Sequence, residues 1–187
     1  MKIDKEKTMP LILSGIIIII DQITKAFIAI KWPIPEYSNS RLVADVFGND
    51  ILKIFHVRNK ALAFSMGDGL PDLIKPVLFV VLPLLVLAIL VWYYFRSNEF
   101  SKMQRWATAG ILGGGIGNLI DRIFRPDGVV DFISVKLPGF FEFLFGPNPH
   151  WPTFNVADSA VVVCCIMLFI TIIFTSKKSE KTVKGNA

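Results

Sequence analysis

Four stretches of this chain, about residues 9–30, 74–95, 106–124 and 154–175, are apolar over the length that a lipid bilayer sets. Each runs for about 19–22 residues, enough to cross a hydrocarbon core of ~30 Å at ~1.5 Å per helical residue. Pro10–Ile20 has Ser14 as its only polar side chain, and Val77–Phe95 carries no acidic or basic residue before Arg96. A soluble chain of 187 residues, 53% of them apolar, would have too little interior to hide them. The predicted fold is therefore an all-α integral membrane protein with four transmembrane helices, a single domain over residues 1–187. The same composition excludes disorder, a disulfide-stapled secreted domain and a soluble nucleic-acid binder.

The basic residues orient the spans. Lys2, Lys5 and Lys7 precede the first, Arg96, Lys102 and Arg105 lie between the second and third, and Lys177, Lys178, Lys181 and Lys184 follow the fourth. Four spans put these clusters on one side, so both termini are expected in the cytoplasm and segments 31–73 and 125–153 outside. The first span resembles a secretory signal, but no small-x-small cleavage site follows and Asp21 and Lys25 interrupt it. It is read as retained. Cys164 and Cys165 are adjacent inside an apolar run, and His56 and His150 lie far apart, so no disulfide, metal or organic cofactor is expected.

The external segments carry their own signals. β-like runs at Val43–Phe47 and Ile51–Val57 flank Gly48-Asn49-Asp50, which predicts a hairpin in a small extracytoplasmic sheet resting on the membrane. Leu137–Phe145 holds four Phe and one acid between Gly and Pro breakers, which predicts a short amphipathic helix in the interface.

Ionisable side chains inside spans are costly and face a bundle interior or a wet site. Asp21 and Lys25 are four apart and share a helix face, either as a structural ion pair or as reacting groups. Gly110/Gly114 and Gly113/Gly117 have small-xxx-small spacing, which allows close helix approach. Asn118, Asp121 and Arg122 follow on one face, as a structural clamp or a platform for substrate backbone. Asp131 follows the Pro126-Asp127-Gly128 turn and is read as a loop residue, capping that turn or reacting. Asn155 and Asp158 share a face one turn inside the last span, with no basic partner in that helix. An outward third span and an inward fourth bring Asp131 and Asp158 to one depth. Two close carboxylates titrate apart, leaving one as base and one as acid, the aspartic-protease arrangement. A proton or cation transporter and a purely structural scaffold are the competing readings. The first lacks any repeat or two-half symmetry, and the second leaves Asp158 unexplained.

Five motifs occur in order: Asp21-x-x-Thr-Lys25; Asn59-x-Ala-x-Ala63-Phe64-Ser65; Gly114-Gly-x-Gly-Asn118-x-x-Asp121-Arg122; Val129-Val-Asp131-Phe132; and Phe154-Asn155-x-Ala157-Asp158-Ser159. Together they resemble the bacterial lipoprotein signal peptidase family, signal peptidase II, over roughly residues 10–175. The resemblance implies a four-helix intramembrane aspartic endopeptidase with a β-cradle and a short periplasmic interfacial helix. Such an enzyme sits in the bacterial inner membrane with its site near the extracytoplasmic face. It cuts diacylglyceryl-modified prolipoproteins before the lipid-bearing cysteine and is blocked by the cyclic peptide globomycin. It implies Asp131 and Asp158 as the catalytic dyad, Asn59, Asn118, Arg122 and Asn155 as substrate-binding, and Asp21, Lys25 and Asp121 as supporting. Partners implied are the lipid-modified precursors and membrane lipids, with no nucleic acid, and the chain is expected to act as a monomer. Two features depart from the family pattern: Ala61 stands where Gly is usual, and 26 residues separate the two aspartates, more than is usual.

Overall fold

The computed structural model describes residues 4–60, 71 and 74–185, with side chains described to residue 174. The elements run α1 (Lys5–Thr8), α2 (Leu11–Lys31), β1 (Ser40–Asp45), β2 (Leu52–Asn59), α3 (Leu82–Arg96), α4 (Lys102–Phe124), β3 (Val129–Val135), α5 (Glu142–Phe145) and α6 (Val156–Gly185). A π-helical turn, Val77–Val81, leads into α3, and a 3₁₀ turn, Gly139–Phe141, precedes α5. The Ala61–Ser65 part of the second motif, Ala61 included, lies outside the described residues.

Among the described residues, three helical stretches are long and apolar enough to cross a membrane: Lys5–Lys31, Val77–Arg96 and Val156–Phe174. Their apolar side chains point outward. On α2, Ile12, Ile16, Ile19, Ile23, Phe27 and Ile30 are exposed, while Ser14, Ile17, Asp21, Lys25 and Ile28 are buried. The buried set recurs every three or four residues and marks one face. Such a polar-inside, apolar-outside pattern suits lipid and not water.

The fourth long helix, α4, has a different composition because it is the one the others surround. It starts at a reciprocal cap, where Ser101 Oγ accepts from Gln104 N–H (3.3 Å) and Gln104 Oε1 accepts from Ser101 N–H (2.9 Å). It ends before Pro126, whose ring disfavours a helical Arg125. Its glycines replace side chains where neighbours press closest. A Cβ on Gly113 would lie 2.8 Å from Ser14 Cα of α2, and one on Gly114 would lie 2.4 Å from Ala157 O of α6. Ser14 Oγ donates to Ala109 O across the same α2–α4 contact (2.6 Å).

The sheet is antiparallel in the order β1–β2–β3. The hairpin falls where the turn chemistry predicts, with β1 starting at Ser40, earlier than the β-like run. Gly48 and Asp50 adopt positive φ, and the Asp45 carboxylate accepts from both their N–H groups (3.1 and 3.0 Å). One expectation needs correction. Asp131 lies in a strand and not a loop: Val-Val-Asp-Phe-Ile-Ser-Val is β-branched or aromatic at most positions, and it pairs with β2. The Phe-rich segment forms short helical turns where a short helix was expected, a 3₁₀ turn running into the four-residue α5, bounded by Pro138 and Gly146.

Ile28, Val130 and Phe132 form a buried cluster, packed by Trp32, Ile54, Ile133 and Val156, that seats the sheet on the ends of α2 and α6.

Candidate functional site

Two layers of polar groups meet where α2, α4, β3 and α6 converge. The lower layer is ionic. Lys25 Nζ lies 2.8 Å from Asp21 and 3.0 Å from Asp121, all three side chains fully buried. Asp121 also pairs with Arg125 and accepts from Val130 N–H (3.3 Å). Gln22 Nε2 donates to Asp21, to Asp121 and to Gly117 O at 3.0–3.1 Å. Asp21 Oδ1 accepts from Ala157 N–H (2.9 Å), in the first turn of α6, where free N–H groups favour a carboxylate. Two acids and two bases balance, which is the condition for burying charge without a large penalty. The predicted Asp21–Lys25 pair is thus part of a four-element clamp.

The single face read for Asn118, Asp121 and Arg122 divides in the structure. Asp121 pairs with Arg125, four residues on, while Arg122 Nη1 donates to Phe79 O (3.2 Å). On a helix, adjacent residues diverge by about 100° whereas i and i+4 share a face, so Asp121 and Arg122 point apart.

The upper layer holds the two candidate acids. Asp131 projects from β3 and is 2% exposed. Its Oδ1 accepts from Asn155 Nδ2 (2.7 Å) and its Oδ2 from Asn59 Nδ2 (2.9 Å). Asp158 is half-buried at the third position of α6. Its Oδ1 accepts from Asn118 Nδ2 (2.7 Å) and its Oδ2 from Asn155 N–H (3.1 Å). Asn155 Oδ1 accepts in turn from Asp158 N–H (2.9 Å), so Asn155 and Asp158 form a reciprocal cap on α6. Asn155 therefore touches both carboxylates, through its side chain and its backbone. Asn118 Oδ1 joins the layers, accepting from Lys25 Nζ (2.8 Å) and Asn155 Nδ2 (3.1 Å).

Burial pushes the Asp131 carboxyl up to about 7. The hydrogen bonds from Asn59 and Asn155 pull it down, and the nearby Asp158 adds to the rise. Near neutral pH this group can therefore give or take a proton.

A groove of about 510 Å³ opens alongside, lined by Asn59, Lys60, Lys75, Phe79, Arg122, Arg125 and Gly128 among others. Neither aspartate lines it, and Asn59 is the wall it shares with Asp131. Gly128 fixes that wall: its φ is +99°, and a Cβ there would lie 2.4 Å from Asn59 O.

All nine singled-out residues are described. Asp131, Asp158, Asn59, Asn118, Asn155, Lys25, Asp21 and Asp121 fall in one connected network, and Arg122 stands beside it on the groove. Sequence reasoning missed Gln22, Arg125 and Gly128. Arg125 was findable from its spacing to Asp121, whereas Gly128 needed the fold. Among the described residues, no three His, Cys, Asp or Glu side chains converge as a metal shell requires.

Apolar helices of bilayer length around a buried ionic clamp, with two carboxylates hydrogen-bonded through one asparagine, define a membrane protein with a paired-acid site. The family model for signal peptidase (SPase) II matches residues 13–174. The chain is 39% identical over 184 residues to a lipoprotein signal peptidase of Treponema pallidum, covering 98% of this chain and 91% of that one. It is 41% identical over 177 residues to that of Treponema denticola, covering 95% of each. A solved structure described as a bacterial membrane enzyme superposes with a TM-score of 0.70 at 25% identity, covering 91% of both chains. The chain belongs to the signal peptidase II family, a family of membrane peptidases.

Proposed function

We propose that this protein removes signal peptides from diacylglyceryl-modified prolipoproteins, cutting before the lipidated cysteine, with Asp131 and Asp158 as the reacting acids. The observation that carries the reading is the double engagement of Asn155, which hydrogen-bonds both carboxylates at 2.7 and 3.1 Å. In this mechanism α4 also crosses the membrane, as the third of four spans, both termini are cytoplasmic, and the site lies near the outer face of the bacterial inner membrane. The substrate's signal helix enters from lipid while its acyl chains stay there, so binding supplies orientation. One carboxylate, ionised, takes a proton from water as its oxygen attacks the scissile carbonyl. The other, protonated, donates to the carbonyl oxygen. Collapse of the tetrahedral intermediate breaks the C–N bond, and the amine of the cysteine leaves with a proton. Arg122 and Asn59, on the groove wall, suit the substrate backbone. The chemistry needs neither metal nor organic cofactor, and the enzyme acts as a monomer that globomycin blocks.

The test is processing of a lipidated precursor by full-length Asp131→Asn and Asp158→Asn variants. Each is expected to lose at least ~10³-fold in kcat, since both proton transfers are needed. Turnover near that of the parent in either variant rejects the paired-acid mechanism.

A further inference from the structure

An asparagine side chain has a donor end and an acceptor end of nearly equal shape, so its orientation is set by neighbours that can play only one part. Taking Asp131 and Asp158 as the reacting pair, as proposed above, the two asparagines between them are both fixed in this way. Lys25 is a donor only, and its Nζ lies 2.8 Å from Asn118 Oδ1. Asn118 must therefore turn its Nδ2 to Asp158 Oδ1, at 2.7 Å. Lys25 cannot swing away, because it is fully buried between Asp21 and Asp121. The backbone N–H of Asp158 is likewise a donor only, 2.9 Å from Asn155 Oδ1. That leaves Asn155 Nδ2 facing Asp131 Oδ1 and Asn118 Oδ1.

The two acids then differ. Both oxygens of Asp158 receive N–H groups that cannot be reversed. Asp158 also sits in the first turn of α6, where the helix end favours negative charge, and it is only half-buried. Asp131 accepts two side-chain amides but lies on a strand at 2% exposure, where charge is costly.

We infer that Lys25, acting through the oriented Asn118 amide, keeps Asp158 as the ionised member of the pair and leaves the shared proton on Asp131. Asp158 is then the base that takes the proton of water, and Asp131 the acid that protonates the carbonyl oxygen. Lys25 is a positioning residue: it touches no reacting atom. The charged and titratable groups around Lys25 and the acid pair are Asp21 from α2, Asp121 and Arg122 from α4, Arg125 beyond α4, and Asp131 and Asp158 themselves. Asp21 and Asp121 balance Lys25 and Arg125, so Lys25 reaches Asp158 chiefly through the direction it imposes on Asn118.

The experiment measures kcat/KM against pH for full-length enzyme in lipid nanodiscs. The substrate is a synthetic precursor peptide bearing a diacylglyceryl cysteine and a donor–quencher pair. Lys25→Met, Asp21→Asn and the double variant are compared. Lys25→Met is expected to move the acid limb up by about one pH unit, a tenfold change in the governing equilibrium, and to lower kcat more than it raises KM. The charge-balanced double variant keeps that rise, because the donor to Asn118 is still missing. Asp21→Asn alone, which retains that donor, does not show it. An unmoved limb in Lys25→Met overturns the inference, as does an equal rise in Asp21→Asn. A limb restored in the double variant also overturns it, since charge alone would then explain the shift. If Lys25→Met fails to yield folded protein, the double variant carries the comparison. These failures are distinct from failure of the acid pair, which Asp131→Asn and Asp158→Asn report in the same assay.

Discussion

Replacing Gly114 by Ala adds one methyl, with no polar or ionisable group, and tests how the site depends on helix packing. That methyl would lie 2.4 Å from Ala157 O and 2.7 Å from Val161 Cγ2. Ordinary contact begins at 3.4 Å, so α6 must retreat by about 1 Å. The clashing oxygen is backbone and cannot rotate aside. Ala157 also carries the N–H that Asp21 accepts and immediately precedes Asp158. The retreat therefore lengthens the 2.7 Å Asn118–Asp158 hydrogen bond and moves Asp158 relative to Asp131. Overpacking costs ~1–3 kcal/mol, against ~1 kcal/mol gained by helix propensity, so the protein is expected to fold with a modest loss of stability. A misplacement of ~1 Å at reacting groups costs ~10²-fold in rate. The assay is cleavage of a lipidated precursor, with thermal unfolding in detergent run alongside. Gly15→Ala is the internal control, because a Cβ there meets nothing within 4 Å. It should leave turnover unchanged and raise stability slightly. Parental turnover in Gly114→Ala would refute the claim that the α4–α6 contact sets the acid geometry.

Two further outcomes follow. Because burial holds the proton on Asp131 up to about pH 7, kcat/KM is expected to fall on the alkaline side with an apparent midpoint near there, the measured value belonging to the pair. A profile flat from pH 6 to pH 9 would contradict it. Asp50 binds Lys53, Lys136, His150 and Asn148, tying the β1–β2 turn to the Phe-rich segment. Asp50→Ala should therefore speed hydrogen exchange at Leu137 and Trp151, whose N–H groups bond Pro149 O and Val135 O, while exchange in α4 stays the same.

Local signals in the sequence reached far into this fold. The Ile-rich face of α2 and the Asp21–Lys25 spacing are set within one helix, so periodicity reveals both. The hairpin turn is equally local, since Gly48 and Asp50 supply its positive φ. The strand at Asp131 was hidden because its pairing partner, Val57 on β2, lies far upstream in the chain, and pairing at that range leaves no mark beyond β-branched composition. Asp121 and Arg122 were placed on one face although adjacency in sequence is not adjacency on a helix, and they turn to Arg125 and Phe79 O respectively. Asn155 was legible as a polar residue on the Asp158 face. Its bond to Asp131 was not, because that depends on where β3 docks on α6.

The carboxylate that receives the first turn of α6 belongs to α2, 136 residues upstream. During synthesis the socket is therefore made first and its occupant last. Asp131 leaves the ribosome before Asp158, and a nascent chain that has not yet delivered its final helix holds half of the pair. If the two acids are the reacting pair, as proposed, the pocket cannot assemble until α6 has emerged and its first turn has met Asp21.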